Sequence, residues 1–342
     1  MVVLTPLPLV VVANAAVGRR WAHLAIGILA GFSAGVTFLI GAIDLSGAAR
    51  TTAGSGGQNS TEVDIGIMVT AVVAAALASK PLRERVARVL PVDPDNPVHA
   101  LALVLAVLLF GTQVTSILFT NLAAAAQPAL TLGDLISQEA PFLILAAAGV
   151  GIFMRRNLPQ VTARLGLVIP TWWQVVIAIA AAGVFFAFGQ AMDVLSHAWT
   201  PDIARNVDKT SQQLFGGLDN PLGIAALALA PGVCEEIMFR GALQPRLGLL
   251  ATALLFTSIH TQYGVSLAAL SVFVIALGLG LIRKFTNTTT SMICHVTYNL
   301  AVGIGVAAAQ LDYAIALEVV LIAVSAYAIW SNRRRAPAAA NP

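Results

Sequence analysis

Two adjacent glutamates sit where the surrounding chain is apolar. They lie in "PGVCEEIMFRGALQPR", Pro231 to Arg246, directly after the run "LGIAALALA". A carboxylate in such a setting is costly and persists only with a partner or a task. At about 100° per helical residue, Glu236 and Arg240 share a face, whereas Glu235 stands about 140° around from Arg240. The spacing therefore gives Glu236 a salt-bridge partner one turn away and gives Glu235 none in its own helix. Glu236 and Arg240 read as a structural pair, and Glu235 as a carboxylate with a task.

Further along, "FTSIH" sets Phe256 and His260 four residues apart, and "HVTYN" does the same for His295 and Asn299. A single buried histidine is ordinarily a satisfied core residue. Two of them, each on its own helix and both beside a helix with an unpaired glutamate, make a set. Carboxylate and imidazole can activate a water as general base. Imidazole N–H and an asparagine amide can hydrogen-bond an oxyanion. The parts match a hydrolase acting on a carbonyl. His23, His99 and His197 fall near the ends of apolar blocks or in a connection and read as interfacial.

Glu235-Glu236-x-x-x-Arg240, then Phe256-x-x-x-His260, then His295-x-x-x-Asn299, resemble the three signature motifs of the CPBP family of intramembrane proteases. That family includes the type II CaaX prenyl endopeptidases and bacteriocin-processing and immunity relatives. The resemblance covers roughly residues 215–311. It implies a membrane-embedded helical core around a polar cavity, and peptide-bond hydrolysis. Carried onto this chain, Glu235 and His260 would activate the water, His295 and Asn299 would bind the oxyanion, and Glu236, Arg240 and Phe256 would support the site.

Members have been described both as metalloproteases and as glutamate-dependent enzymes. Glu235, His260 and His295 could be three ligands of a catalytic zinc with an open fourth position. No His-Glu-x-x-His pair is present, and if all three bound metal, Glu236 would have to leave Arg240 to act as base. The reading preferred here uses no metal. Cys234 and Cys294 adjoin Glu235 and His295, but adjacent helical residues diverge by about 100°, so both read as apolar filler.

The elements that must hold these residues are membrane helices. The 342 residues are 58% hydrophobic and 10% charged, against about 25% charged in an ordinary soluble domain. Mean hydropathy is +0.85. The net charge of +3 does not indicate nucleic acid, because the basic residues lie at the ends of apolar blocks. The expected fold is all-α: a polytopic transmembrane bundle of about eight to ten spans with a C-terminal four-helix catalytic core. Apolar blocks long enough for the bilayer place spans near 24–43, 63–79, 98–122, 140–154, 172–192, 221–240, 248–263, 265–282, 289–310 and 313–330. Residues 1–18 form a short extra span or an interfacial segment. Residues 1–200 read as N-terminal membrane helices without a motif, 215–311 as the protease-like core, and 312–342 as a last span and basic tail.

Basic connections alternate along the chain, from Arg19 and Arg20, through Lys80 to Arg88, Arg155 to Arg164, Arg240 and Arg246, Arg283 and Lys284, to Arg333 to Arg335. The positive-inside rule puts these, and the C-terminus, in the cytoplasm of a cell-membrane protein. The 193–220 connection is mixed. "GSGG" reads as an external linker, and Asn59-Ser60-Thr61 as a glycosylation acceptor pattern. Gly27, Gly31 and Gly35 read as a stripe for close helix approach. Glu318 is expected to meet a polar group in the bundle or the outer interface. The implied partners are membrane lipids and a protein or peptide substrate, lipidated or unmodified. A transporter is disfavoured for want of an inverted repeat; a non-catalytic scaffold or immunity protein keeping the fold is the remaining alternative.

Overall fold

The computed structural model describes residues 4–47, 61–120, 128–306 and 308–335. The "GSGG" segment, Asn59, Ser60 and the last residues of the tail lie outside them. The described residues fold as helices with no strand, in the order α1 (Leu7–Ala16), α2 (Ala22–Ser46), α3 (Thr61–Ala76), α4 (Lys80–Val86), α5 (Pro97–Phe119), α6 (Leu132–Gly149), α7 (Leu158–Leu165), α8 (Trp172–Trp199), α9 (Pro201–Phe215), α10 (Pro221–Glu235), a π-helical turn (Glu236–Leu243), α11 (Gln244–Ser258), α12 (Leu267–Phe285), α13 (Thr288–Ile304) and α14 (Leu311–Arg335). The all-α, multi-pass expectation holds.

Among the described residues, six helical runs are long and apolar enough to cross a membrane, or seven if the α3–α4 pair, bent by 93°, counts as one span. This is fewer than expected. Blocks 221–240 and 248–263 join into the run Pro221–Ser258, broken at Gly248, where φ 75° and ψ 174° leave the helical region. The 140–154 block belongs to α6, which begins earlier and carries Asp134 and Glu139. The 193–220 connection is mostly helical, as the end of α8 and α9. The N-terminal segment forms α1, ten residues long and too short to span.

Polar residues close the helix ends. Asn96 accepts from Val98 and His99 at the start of α5, Asn220 from Gly223 on α10, and Asn287 from Thr290 on α13. Thr131 and Asp134 cap α6 reciprocally, as do Asn157 and Gln160 on α7. Gly166, at φ 73°, ends α7. The chain then docks on α13: Thr288 donates through Oγ1 to Leu165 O at 2.6 Å and through N to Gly166 O at 3.1 Å.

The glycine stripe on α2 does something other than expected. A Cβ on Gly27, Gly31 or Gly35 would meet nothing within 4 Å. The buried face of α2 is formed by Ala25, Ile26, Leu29, Ala30, Ser33 and Ala34. Close approach occurs on α3 and α5, reciprocally: a Cβ on Gly66 would lie 2.4 Å from Thr115, and one on Gly111 2.4 Å from Thr70. One continuous apolar cluster then joins Ala30, Ala71, Leu103, Val104 and Leu108 from the N-terminal half to Phe239, Leu247 and Phe256 from the motif helices. The first half of the chain is thus packed directly behind the candidate site.

Candidate active site

α10 ends at Glu235, and the next eight residues form the π turn. A π turn bonds i to i+5 and is found frequently at functional sites. It changes the rotation expected from 100° per residue, so Arg240 lies within electrostatic reach of Glu235 as well as Glu236. The close ion pair is still the expected one: Glu236 Oε2 is 3.4 Å from Arg240 Nε, with both side chains buried. The Arg240 guanidinium lies 4.3 Å over the Phe256 ring, and its Nη2 reaches the Ala276 carbonyl at 3.5 Å.

Glu236 does more than neutralise an arginine. Ser291 Oγ donates to its Oε2 at 2.5 Å, and His295 Nδ1 lies 3.1 Å from its Oε1. One carboxylate therefore ties the π turn to α13 and orients the second motif histidine. Phe256 packs between the two histidines, with ring centroids 4.8 Å from His260 and 6.0 Å from His295.

The hydrogen bonds fix what the rings can do. His260 Nδ1 is 2.9 Å from Phe256 O. A carbonyl only accepts, so Nδ1 carries a proton, and in the neutral ring Nε2 keeps its lone pair. His295 Nδ1 donates to Glu236 in the same manner, which leaves its Nε2 for other business.

Asn299 owes its position to a proline. Pro231 lies inside α10 and lacks the N–H that would bond the carbonyl four residues earlier, that of Leu227. Asn299 Nδ2 donates to Leu227 O at 3.3 Å. The amide N–H₂ group therefore faces α10, and one of its two hydrogens remains available.

Glu235, His260, His295 and Asn299 line one cavity of about 2150 Å³; Glu236, Arg240 and Phe256 stand behind its wall. Glu235 is buried, and its Oε2 has no hydrogen-bond partner. The sequence reading missed three neighbours. Glu139 on α6 lines the same cavity, is buried, has an unpartnered Oε2 and lies within electrostatic reach of Glu235. Tyr263 stacks on His260 at 6.2 Å with rings 9° apart. Ser291 holds Glu236. Glu139 had a signal, an ionisable residue in "SQEAPF" at the head of an apolar block; Tyr263 and Ser291 had none.

Among the described residues, Asp193, His197 and Asp208, all exposed, bring ligand atoms within 4.8 Å of one another, and Glu235, His260 and His295 do not. His23 is exposed near the start of α2. His99 is not merely interfacial: it lines the cavity, and its Nδ1 accepts from Asp93 N at 3.0 Å. Cys294 is buried among Ala178, Ile275 and Leu279, and Cys234 is half-buried; neither forms a disulfide. Glu318 packs against Gly183 of α8, with Oε1 unpartnered.

Residues 217–301 match the family model described as type II CAAX prenyl endopeptidase Rce1-like. The match contains all three motifs and bears out the resemblance to the CPBP intramembrane proteases. No curated protein and no solved structure matches the chain. Several apolar helices and a membrane-protease match identify a multi-pass membrane protein with a protease-type core.

Proposed function

We propose that the protein is an intramembrane endopeptidase of the glutamic type, acting on a membrane-associated protein or peptide, lipidated or unmodified. The observation that carries this reading is the buried, unpartnered carboxylate of Glu235 in one cavity with His260, His295 and Asn299.

Glu235 and the free Nε2 of His260 hold a water and take its proton as it attacks the carbonyl carbon of the scissile bond. The carbonyl oxygen becomes an oxyanion. The spare N–H of Asn299 and Nε2 of His295 donate to it. Because Nδ1–H of His295 is held by Glu236, donation through Nε2 requires a cationic ring, and Glu236 supplies the counter-charge. When the tetrahedral intermediate collapses, the proton taken from water passes to the departing amine. Glu236, Arg240 and Phe256 hold the imidazoles and touch no reacting atom. The motif-bearing core occupies about 215–311, with the N-terminal helices packed against it, and the basic connections and C-terminus face the cytoplasm of the cell membrane.

The deciding experiment is proteolysis by the purified protein of prenylated and unmodified apolar peptides, read by mass spectrometry. Cleavage by the parent and none by Glu235→Gln is the expected result. Cleavage by neither, in folded protein, removes the protease reading.

A further inference from the structure

α6 carries a carboxylate that has no part in the hydrolysis proposed for Glu235 and His260. Leu135, Gln138, Glu139, Phe142 and Leu145 fall at helical spacing on one face of α6 and line the cavity that holds Glu235. Glu139 is only 8% exposed, and its Oε2 has no hydrogen-bond partner. Among the described residues it forms no ion pair. Glu235 is likewise buried with an unpartnered Oε2, and the two carboxylates lie within electrostatic reach of each other. A glutamate kept only to fill this wall would cost less as a glutamine or a leucine.

The charged groups around Glu139 are few. α6 packs on α1, α10 and the π turn. α1 has no ionisable side chain. α10 offers Cys234 and Glu235, both within electrostatic reach of Glu139. On the π turn, Arg240 forms its buried ion pair with Glu236. Asp134, nearer the start of α6 itself, is engaged by the Thr131 cap. Neither Glu139 nor Glu235 therefore has a cation of its own. Two carboxylates in one poorly solvated site do not readily ionise together, and one proton is then held between them.

The position suits a departing amine. α10 packs against α13, which carries His295 and Asn299, and against α6, which carries Glu139. Among the described residues α6 and α13 form no packed pair, so they flank α10 from different sides. A scissile carbonyl whose oxygen points at the donors of α13 turns its other substituents away from them. The cavity wall on that other side is α6.

We propose that Glu139 is a second catalytic carboxyl, which holds one proton jointly with Glu235 and delivers it to the departing amine. Before attack the proton resides on Glu139, and Glu235 is free to act as base. An O–H bond of water breaks, its proton goes to Glu235, and its oxygen bonds to the carbonyl carbon. On collapse the C–N bond breaks and the nitrogen takes the proton of Glu139. The proton that Glu235 drew from water then passes to Glu139 and restores the pair. The products are a carboxylic acid and an amine, and no proton is left over. The inference rests on the protease reading for the role of the proton, but the shared proton can be read without catalysis.

The test uses the full-length protein in detergent and has two arms. Dicyclohexylcarbodiimide adds to protonated carboxyl groups in apolar surroundings, and peptide mapping by mass spectrometry locates the adduct. Glu139 is expected to label in the parent. In Glu235→Gln the like charge is gone, so the midpoint of Glu139 labelling should move to lower pH by about one unit or more. Absence of the adduct at Glu139, or a midpoint that ignores Glu235→Gln, overturns the proposal. The second arm compares an apolar peptide amide with the matching peptidyl 4-nitrophenyl ester, whose leaving group needs no proton. Glu139→Gln should lower kcat on the amide by about 10²-fold or more, the scale of a general acid, and should spare the ester. Glu139→Asp should recover part of the amide activity, whereas Glu235→Gln should lose both substrates. Equal losses on amide and ester in Glu139→Gln would make the residue structural and overturn the acid role. Labelling with the expected shift, and no peptide cut by the parent, keeps the carboxyl pair while removing the protease reading and with it the acid role.

Discussion

Asn299 donates its side-chain amide to the carbonyl of Leu227, the group that Pro231 leaves without a helical donor. A residue expected to bind an oxyanion is thus also the plug for a broken helical hydrogen bond. The two roles can be separated, because only one of them depends on Pro231.

Asn299→Ala should slow turnover by roughly 10²–10³-fold, as for loss of one oxyanion donor. It should also destabilise by about 1 kcal/mol, for the loss of a hydrogen bond to a partly buried carbonyl. Pro231→Ala restores a backbone N–H for Leu227. In the double variant the stability loss should shrink while the turnover loss stays. Recovery of turnover together with stability would show that Asn299 is structural only.

The network around Glu236 predicts two different failures. Arg240→Ala leaves a buried carboxylate without its cation, and Glu236→Ala does the converse; each should cost about 3–5 kcal/mol, seen as lower folded yield and melting temperature in detergent. The double substitution should recover part of that. Ser291→Ala removes one hydrogen bond to Glu236 and should cost less. An Arg240→Ala protein with wild-type melting behaviour would contradict the pairing.

Glu235→Gln should behave in the opposite way. Its carboxylate has no hydrogen-bond partner for Oε2, so the amide removes charge without orphaning a cation. Hydrolysis should vanish while melting stays unchanged or rises. His260→Ala should also abolish cleavage. Chelators should leave the parent enzyme active; inhibition by a chelator with rescue by zinc would instead make Glu235 a ligand. Wild-type cleavage by Glu235→Gln would falsify the proposed mechanism.

Glu139 is buried near Glu235 and is also short of a partner. Glu139→Gln takes one of two neighbouring carboxylates out of a poorly solvated wall. The expected result is a higher melting temperature, measured in the same detergent as the parent.

Topology can be checked in intact cells. Single cysteines placed in 80–97 and in the tail after Trp330 should both resist an impermeant thiol reagent applied from outside, since both lie in basic connections. Labelling of either reverses the orientation.

The sequence by itself determined the helical class and named the candidate residues that the fold brings to one cavity. Charge depletion, apolar blocks and four-residue spacing are local properties of a chain, and a helix converts them directly into faces. That is why the Glu236–Arg240 pair and the motif residues Glu235, His260, His295 and Asn299 were legible before any fold was known. Packing decided the rest. The glycine stripe on α2 looked like a helix contact, yet the contact uses the alanine face beside it, because which face is buried depends on neighbours the stripe does not specify. The π turn at Glu236 altered the rotation on which spacing arguments depend. Glu139 stands far from the motifs in the chain and reaches their cavity only through tertiary contacts. No local pattern encodes such convergence, because it is set by how α6 and α10 pack across the bundle.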